Sequence, residues 1–155
     1  GGGFELAIAC DLLICAEHAE FALPELPIGI IPDSGGIQRV PRRLPYNIAV
    51  ELLLLGRRMS AAEAKHYGMV NAVVPKEKLM ETARDWADRI ASGAPLTIQA
   101  LKEALRAFEA LSIRQMFELV RSGTLPAYEK ALASEDAKEG VRAFAEKRRA
   151  EFKGR

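Results

Sequence analysis

The chain has 155 residues, 49% hydrophobic and 28% charged, the length of one ordinary domain with enough apolar material for a core. A formal net charge of +1 excludes a general electrostatic attraction to nucleic acid or a membrane surface. No apolar run reaches the roughly 18 residues that a membrane-spanning helix needs.

Gly1, Gly2 and Gly3 lead directly into Phe4-Glu5-Leu6-Ala7-Ile8-Ala9-Cys10, and the apolar run continues to Ala16 with Asp11 as its interruption. Glycines followed by helix formers predict a tight turn entering a helix over 2–10. Apolar residues on every side of Glu5 predict a buried helix. A carboxylate there is costly unless it is paired, protonated or at work. The plainer alternative is that Glu5 complements the helix dipole, worth roughly 0.3–1 kcal/mol. Cys10 and Cys15 lie in the same stretch and are expected to be core thiols in a reducing, cytoplasmic setting. His18 and His66 do not fall into metal-ligand spacing with them.

Residues 12–16 and 20–23 have the length and character of strands, with Glu17-His18-Ala19 as the turn. Pro24 fixes its own φ and biases Leu23 toward extended geometry, so Glu25 leaves the strand on a stiff mounting. Such a mounting suits a carboxylate that must be aimed, although a surface Glu after a proline is equally compatible with it. Residues 27–36 carry loop chemistry, with Pro27, Pro32, Asp33, Ser34 and three glycines. A helix bearing Arg39, Arg42 and Arg43 follows, then an apolar helix over 48–55 ended by Gly56. Ser60-Ala61-Ala62-Glu63 has the form of a capping box and opens a helix closed by Gly68. A strand is expected over 70–74. A helix over 76–92 has Leu79, Ala83, Trp86, Ala87 and Ile90 on one face. Gly93-Ala94-Pro95 breaks the chain there and separates residues 1–92 from 93–155. Amphipathic helices are expected over 96–110, 112–123 and 128–133. A final helix is capped by Ser134 with Glu135 and Asp136 in its first turn.

Several of these motifs, taken in order, resemble the crotonase family, the enoyl-CoA hydratase/isomerase superfamily. They are Gly1-Gly2-Gly3-Phe4-Glu5-Leu6-Ala7-Ile8-Ala9-Cys10-Asp11, Phe21-Ala22-Leu23-Pro24-Glu25 and Gly29 through Gly36, followed by Leu55-Gly56-Arg57-Arg58-Met59-Ser60-Ala61, Gly68-Met69-Val70-Asn71 and Phe144-Ala145-Glu146-Lys147-Arg148. The resemblance implies an α/β fold: the later, C-terminal part of the crotonase ββα spiral over residues 1–92, then a helical trimerisation region over 93–155. It implies that an N-terminal portion of the family's chain is missing, with one oxyanion amide and much of the CoA surface, so that these residues alone would be inactive.

The resemblance further implies a lyase that adds water reversibly to an enoyl-CoA thioester. Glu5 and Glu25 would bind the catalytic water, and the Gly2 amide would be one oxyanion donor. Pro32 and Asp33 would line the substrate pocket, and Phe144 and Lys147 would lie near the nucleotide of CoA. The Pro32-Asp33-Ser34-Gly35-Gly36 form, Arg121-Ser122-Gly123 and Ser134-Glu135-Asp136-Ala137 look most like the branch of the family that handles crotonobetainyl-CoA. No metal or redox cofactor is required, CoA being part of the substrate. Homotrimers or hexamers are the implied assembly. An isomerase of the same family and a non-catalytic oligomerisation or binding module are the competing readings.

Overall fold

Residues 1–155 are described by a computed structural model. By contact they form two compact units, Gly1–Arg84 and Asp85–Arg155. No helix is long and apolar enough to cross a membrane.

The first unit runs α1 (Gly2–Ala9), β1 (Ile14–Ala16), β2 (Glu20–Phe21), a short 3-10 turn (Leu26–Ile28), α2 (Gly36–Arg43), α3 (Tyr46–Leu55), β3 (Met59–Ser60), α4 (Ala61–His66) and β4 (Ala72–Val74). Strand β1 pairs in parallel with β4, Cys15 opposite Val73, and β2 pairs antiparallel with β3, Phe21 opposite Met59. Ile8, Leu23, Val40, Leu52, Met59, Met69 and Val70 are almost wholly buried and make the centre of the core. Phe4 and Phe21 stack beside it with ring centroids 5.3 Å apart, a favourable tilted geometry for two aromatic rings.

Local chemistry explains where the elements stop. The first strand is shorter than expected because the Asn71 side chain accepts from the Leu13 amide at 2.8 Å, and Leu13 O accepts from Asn71 N at 2.7 Å. Gly56 ends α3 at φ +59°, its amide donating to Leu52 O, in the left-handed region that favours glycine. Helix α1 is buried along one face, by Phe4, Glu5 and Ile8, while Leu6 is 72% exposed. The expectation of a helix buried all round is therefore corrected. Cys10 is exposed and Cys15 buried, and both are free thiols; burial pushes the Cys15 thiol up from its ordinary pKa.

Half of the capping box at Ser60 forms. The Ser60 hydroxyl accepts from the Glu63 amide at 3.1 Å, but the Glu63 carboxyl turns to Arg57, whose Nη1 and Nη2 donate to it at 2.9 and 2.6 Å. Arg57 also holds Glu51, Nε to Oε1 at 2.8 Å. The fork geometry of a guanidinium serves two carboxylates at once, and it outcompetes the return bond to the cap. The Arg57 hydrogen bonds hold the Glu63 carboxyl below the ordinary carboxylate pKa, against a smaller opposing effect of burial. A lowered folded-state pKa contributes stability that is present above the unfolded value and lost as pH falls through the folded one. Thermal denaturation of Glu63→Gln should therefore show a shallower loss of Tm on acidification below about pH 4.3 than the parent; parallel curves would count against a stabilising role for this cluster.

The second unit contains the end of α5 (Leu79–Ala91), then α6 (Pro95–Ala107), α7 (Ile113–Arg121), α8 (Pro126–Ala133) and α9 (Glu135–Ala145). On α5 the expected apolar face is half-buried at Leu79, Ala83 and Trp86 and exposed at Ala87 and Ile90. Helices α6 and α8 pack through Leu96, Ala100 and Ala131, with Tyr128 against them. Ser112 and Gln115 form a complete, reciprocal cap on α7. The hydroxyl of Ser134 caps α9 by accepting from Ala137 N at 3.0 Å. Within the basic stretch after α9, Arg148 is tied up internally: it pairs with Glu146 at 2.6 Å and with Glu139 at 2.6 Å, and the hydrogen bonds from Arg148 are the main cause that lowers the Glu139 pKa to about 2.

Candidate active site

The site is built on the turn that enters α1. Gly1 is the N-cap, and its carbonyl accepts from Phe4 N at 2.8 Å and Glu5 N at 3.2 Å. This places Glu5 in the first turn, on the buried face. Gly2 is exposed at the first helical position, where an amide has no carbonyl one turn earlier to bond.

Glu5 is 5% exposed. Its Oε1 accepts from the backbone N–H of Gly36 at 2.9 Å, a buried bond to the first residue of α2. The space is tight. A Cβ on Gly36 would lie 2.8 Å from Pro32 Cβ, 3.1 Å from Glu5 Oε1 and 3.2 Å from Leu23 Cδ1.

Glu25 is 8% exposed. It follows Pro24 and caps the 3-10 turn; its carbonyl accepts from Ile28 N at 3.1 Å and Ile30 N at 3.3 Å. The backbone bonds and the proline make this the stiff mounting expected. The Oε1 atom lies 3.6 Å from the Gly1 nitrogen, and the same nitrogen bonds to Ala22 O. Its Oε2 is buried with no hydrogen-bond partner. An unpartnered buried carboxylate oxygen is costly and marks a place where a small polar molecule would be stabilised.

Gly1 thus meets both glutamates through its backbone: its nitrogen lies near the Glu25 carboxyl and its carbonyl holds the Glu5 backbone amide. Pro32 joins the same cluster through Gly36. Asp33 is exposed, its amide donating to Ile31 O at 2.9 Å. Leu26, Ile28, Ile30 and Ile31, on the loop that leaves Glu25, are all largely exposed and give that side an apolar surface. Phe144 and Lys147 belong to the second unit; Phe144 is 87% exposed, and Lys147 is exposed with φ +54°. No group of three His, Cys, Asp or Glu side chains converges in metal-ligand geometry.

The family model for enoyl-CoA hydratase/isomerase matches residues 1–155. The chain belongs to the enoyl-CoA hydratase/isomerase family. It is 56% identical over 155 residues to a carnitinyl-CoA dehydratase of Proteus mirabilis and 52% identical to one of Salmonella typhimurium, covering all of this chain and 59% of each relative. Among solved structures, an enoyl-CoA hydratase of Bacillus anthracis superposes with a TM-score of 0.92 at 41% identity, and one of Mycobacterium tuberculosis with 0.90 at 36%. The superpositions cover 100% and 99% of this chain and 58% and 60% of those proteins. The chain thus spans about three fifths of the length of the relatives it matches.

One member of this candidate site, Gly36, has no signal of a contact with Glu5 in its local sequence. Gly36 reads as a generic helix start after a loop. Its contact with Glu5 depends on α2 packing against α1, which local pattern does not encode.

Proposed function

We propose that the native protein to which this chain belongs is a lyase that adds water reversibly to an α,β-unsaturated acyl-CoA thioester. The supporting observation is a pair of buried glutamates flanking the Gly1 turn, one of them with a buried oxygen lacking any partner. Two carboxyls in different surroundings can divide a proton-transfer task.

Hydration requires a hydroxyl at the β-carbon and a proton at the α-carbon. In this reading Glu5, through its other oxygen, takes a proton from the attacking water. Glu25 delivers a proton to the α-carbon. The two then exchange a proton, so both return to their starting states, and the coupled pair titrates as a unit. Negative charge grows on the thioester oxygen during addition, and in this reading the Gly2 N–H at the helix entrance would donate a hydrogen bond to that oxygen. The aliphatic loop 26–31 would contact the acyl group, and Phe144 and Lys147 would contact the nucleotide of CoA. CoA enters as part of the substrate. We extend the proposal to a homotrimer or hexamer, with exposed apolar residues of α6 and α9 such as Leu101 and Val141 as contacts.

The test is product analysis by the complete native protein with crotonyl-CoA, crotonobetainyl-CoA and a 3-enoyl-CoA. Hydroxyacyl-CoA from the first two supports the reading, whereas isomerised 3-enoyl-CoA without hydration overturns it. The acyl group is part of the proposal. Relatives named carnitinyl-CoA dehydratase and a free carboxylate at Asp33 point to a cationic acyl group. Asp33→Gly is expected to lower the ratio of kcat/KM on crotonobetainyl-CoA to that on crotonyl-CoA by about fivefold, the scale of one screened charge pair. An unchanged ratio removes Asp33 from specificity.

A further inference from the structure

We propose that Gly36 is the positioning residue for Glu5: its N–H fixes one carboxylate oxygen, and its lack of a side chain leaves the space in which that carboxylate sits. The inference rests on the reaction proposed above, since it explains how one of the two carboxyls acquires its orientation.

Glu5 has one hydrogen-bond partner for its side chain, the Gly36 amide at 2.9 Å. A glutamate has three side-chain torsions, and fixing them costs conformational entropy. The helix that carries Glu5 fixes its Cα, not its carboxyl. Orientation of the carboxyl therefore depends on this one bond and on the walls around it. The bond is charge-assisted and comes from the first amide of an eight-residue helix, where the N–H has no internal competitor. With Oε1 committed, Oε2 is the oxygen left to meet a small molecule.

The walls are set by the same residue. Pro32 Cβ, Leu23 Cδ1 and Glu5 Oε1 all lie within 3.2 Å of the point a Gly36 Cβ would occupy. The Pro32 ring is rigid, and Leu23 is wholly buried. The Glu5 carboxyl is the flexible member of the three, so a methyl at Gly36 would displace it first. Donor and space can therefore be altered separately.

The experiment uses the complete native protein in three forms: parent, Gly36→Ala, and a backbone ester made by placing glycolic acid at position 36, which removes the N–H without adding atoms. The ester is expected to lower kcat about tenfold with KM within about twofold, and Gly36→Ala to lower kcat at least as far. Equal kcat in parent and ester overturns the proposal, as does a loss that appears wholly in KM or in Tm. A second readout does not use turnover. With glycine labelled by 15N, the Gly36 amide proton should resonate downfield in the parent and move upfield in Glu5→Ala but not in Glu25→Ala. An unmoved resonance overturns the contact. If the parent hydrates no enoyl-CoA, the reaction falls and the catalytic meaning of Gly36 with it, while the resonance still reports whether the contact exists.

Discussion

Glu25→Gln in the complete native protein is expected to reduce kcat for enoyl-CoA hydration on the order of 100- to 10,000-fold, the range general acid–base groups contribute. The amide is nearly isosteric and cannot transfer a proton at neutral pH. Its effect should fall on kcat more than KM, because the group acts on a bond that changes in the transition state. The surroundings sharpen the expectation. Glu25 Oε2 is buried and unpartnered, so a Gln NH2 or oxygen placed there gains no compensating bond within the protein. Glu5→Gln should cause a loss of similar order but differ in one respect. Its amide oxygen can still accept from Gly36 N, so the geometry survives and the proton chemistry does not. The double variant should lose little more than either single one, because the residues act as a unit. Steady-state kinetics on the four proteins, with Tm measured beside them, decide the matter. Activity within about threefold of the parent for either variant, set against the range above, would remove that residue from the chemistry.

How much of this was legible in the sequence differs by element. The helix starts at Gly2, Ser112 and Ser134 were readable because caps and glycines act within three or four residues of themselves. The helix stop at Gly56 was readable for the same reason. Glu5 and Glu25 could be singled out because each sits against local grain: a carboxylate in an apolar run, and a carboxylate behind a proline that closes a strand. The failures are of a different kind. Ser60 and Glu63 had the right spacing for a mutual cap, yet Arg57 captured the carboxyl, and a guanidinium that also reaches Glu51 is not visible in a four-residue pattern. The α1 composition read as buried on all sides, but in this chain packing covers the face of Phe4 and Ile8 and leaves Leu6 open. Periodicity measures what could be buried, and tertiary partners determine what is. Gly36 illustrates the limit most clearly, since its significance is a contact with a residue 31 positions away.

Asp136→Ala is expected to destabilise the second unit by roughly 2–4 kcal/mol, more than its place in a first helical turn would imply. As a dipole complement alone it would contribute about 0.3–1 kcal/mol, and Glu135 beside it, exposed and paired with Arg155 at 3.0 Å, fits that smaller role. Asp136 is different because it is 2% exposed. Its two oxygens accept from Lys153 N and Gly154 N, each at 2.7 Å, while its own amide donates to Arg155 O at 3.2 Å. One residue thus satisfies three backbone groups of the last segment and holds that segment to α9. Alanine would leave two partly buried amides without a protein partner, at up to about 1–3 kcal/mol for each group left unsatisfied; access of water to the exposed Lys153 and fraying of the segment would offset part of this. Asp136→Asn separates the contributions. It keeps one acceptor oxygen and turns an NH2 toward the other amide, so it should fall between the parent and alanine. Chemical denaturation of the three proteins, with hydrogen exchange at the Lys153 and Gly154 amides, gives the measurement. If both amides remain protected in Asp136→Ala and the midpoint moves by less than about 0.5 kcal/mol equivalent, the scale of an ordinary surface substitution, then the carboxylate is a dipole complement and the tail is held by other contacts, such as Gly140 against Phe152.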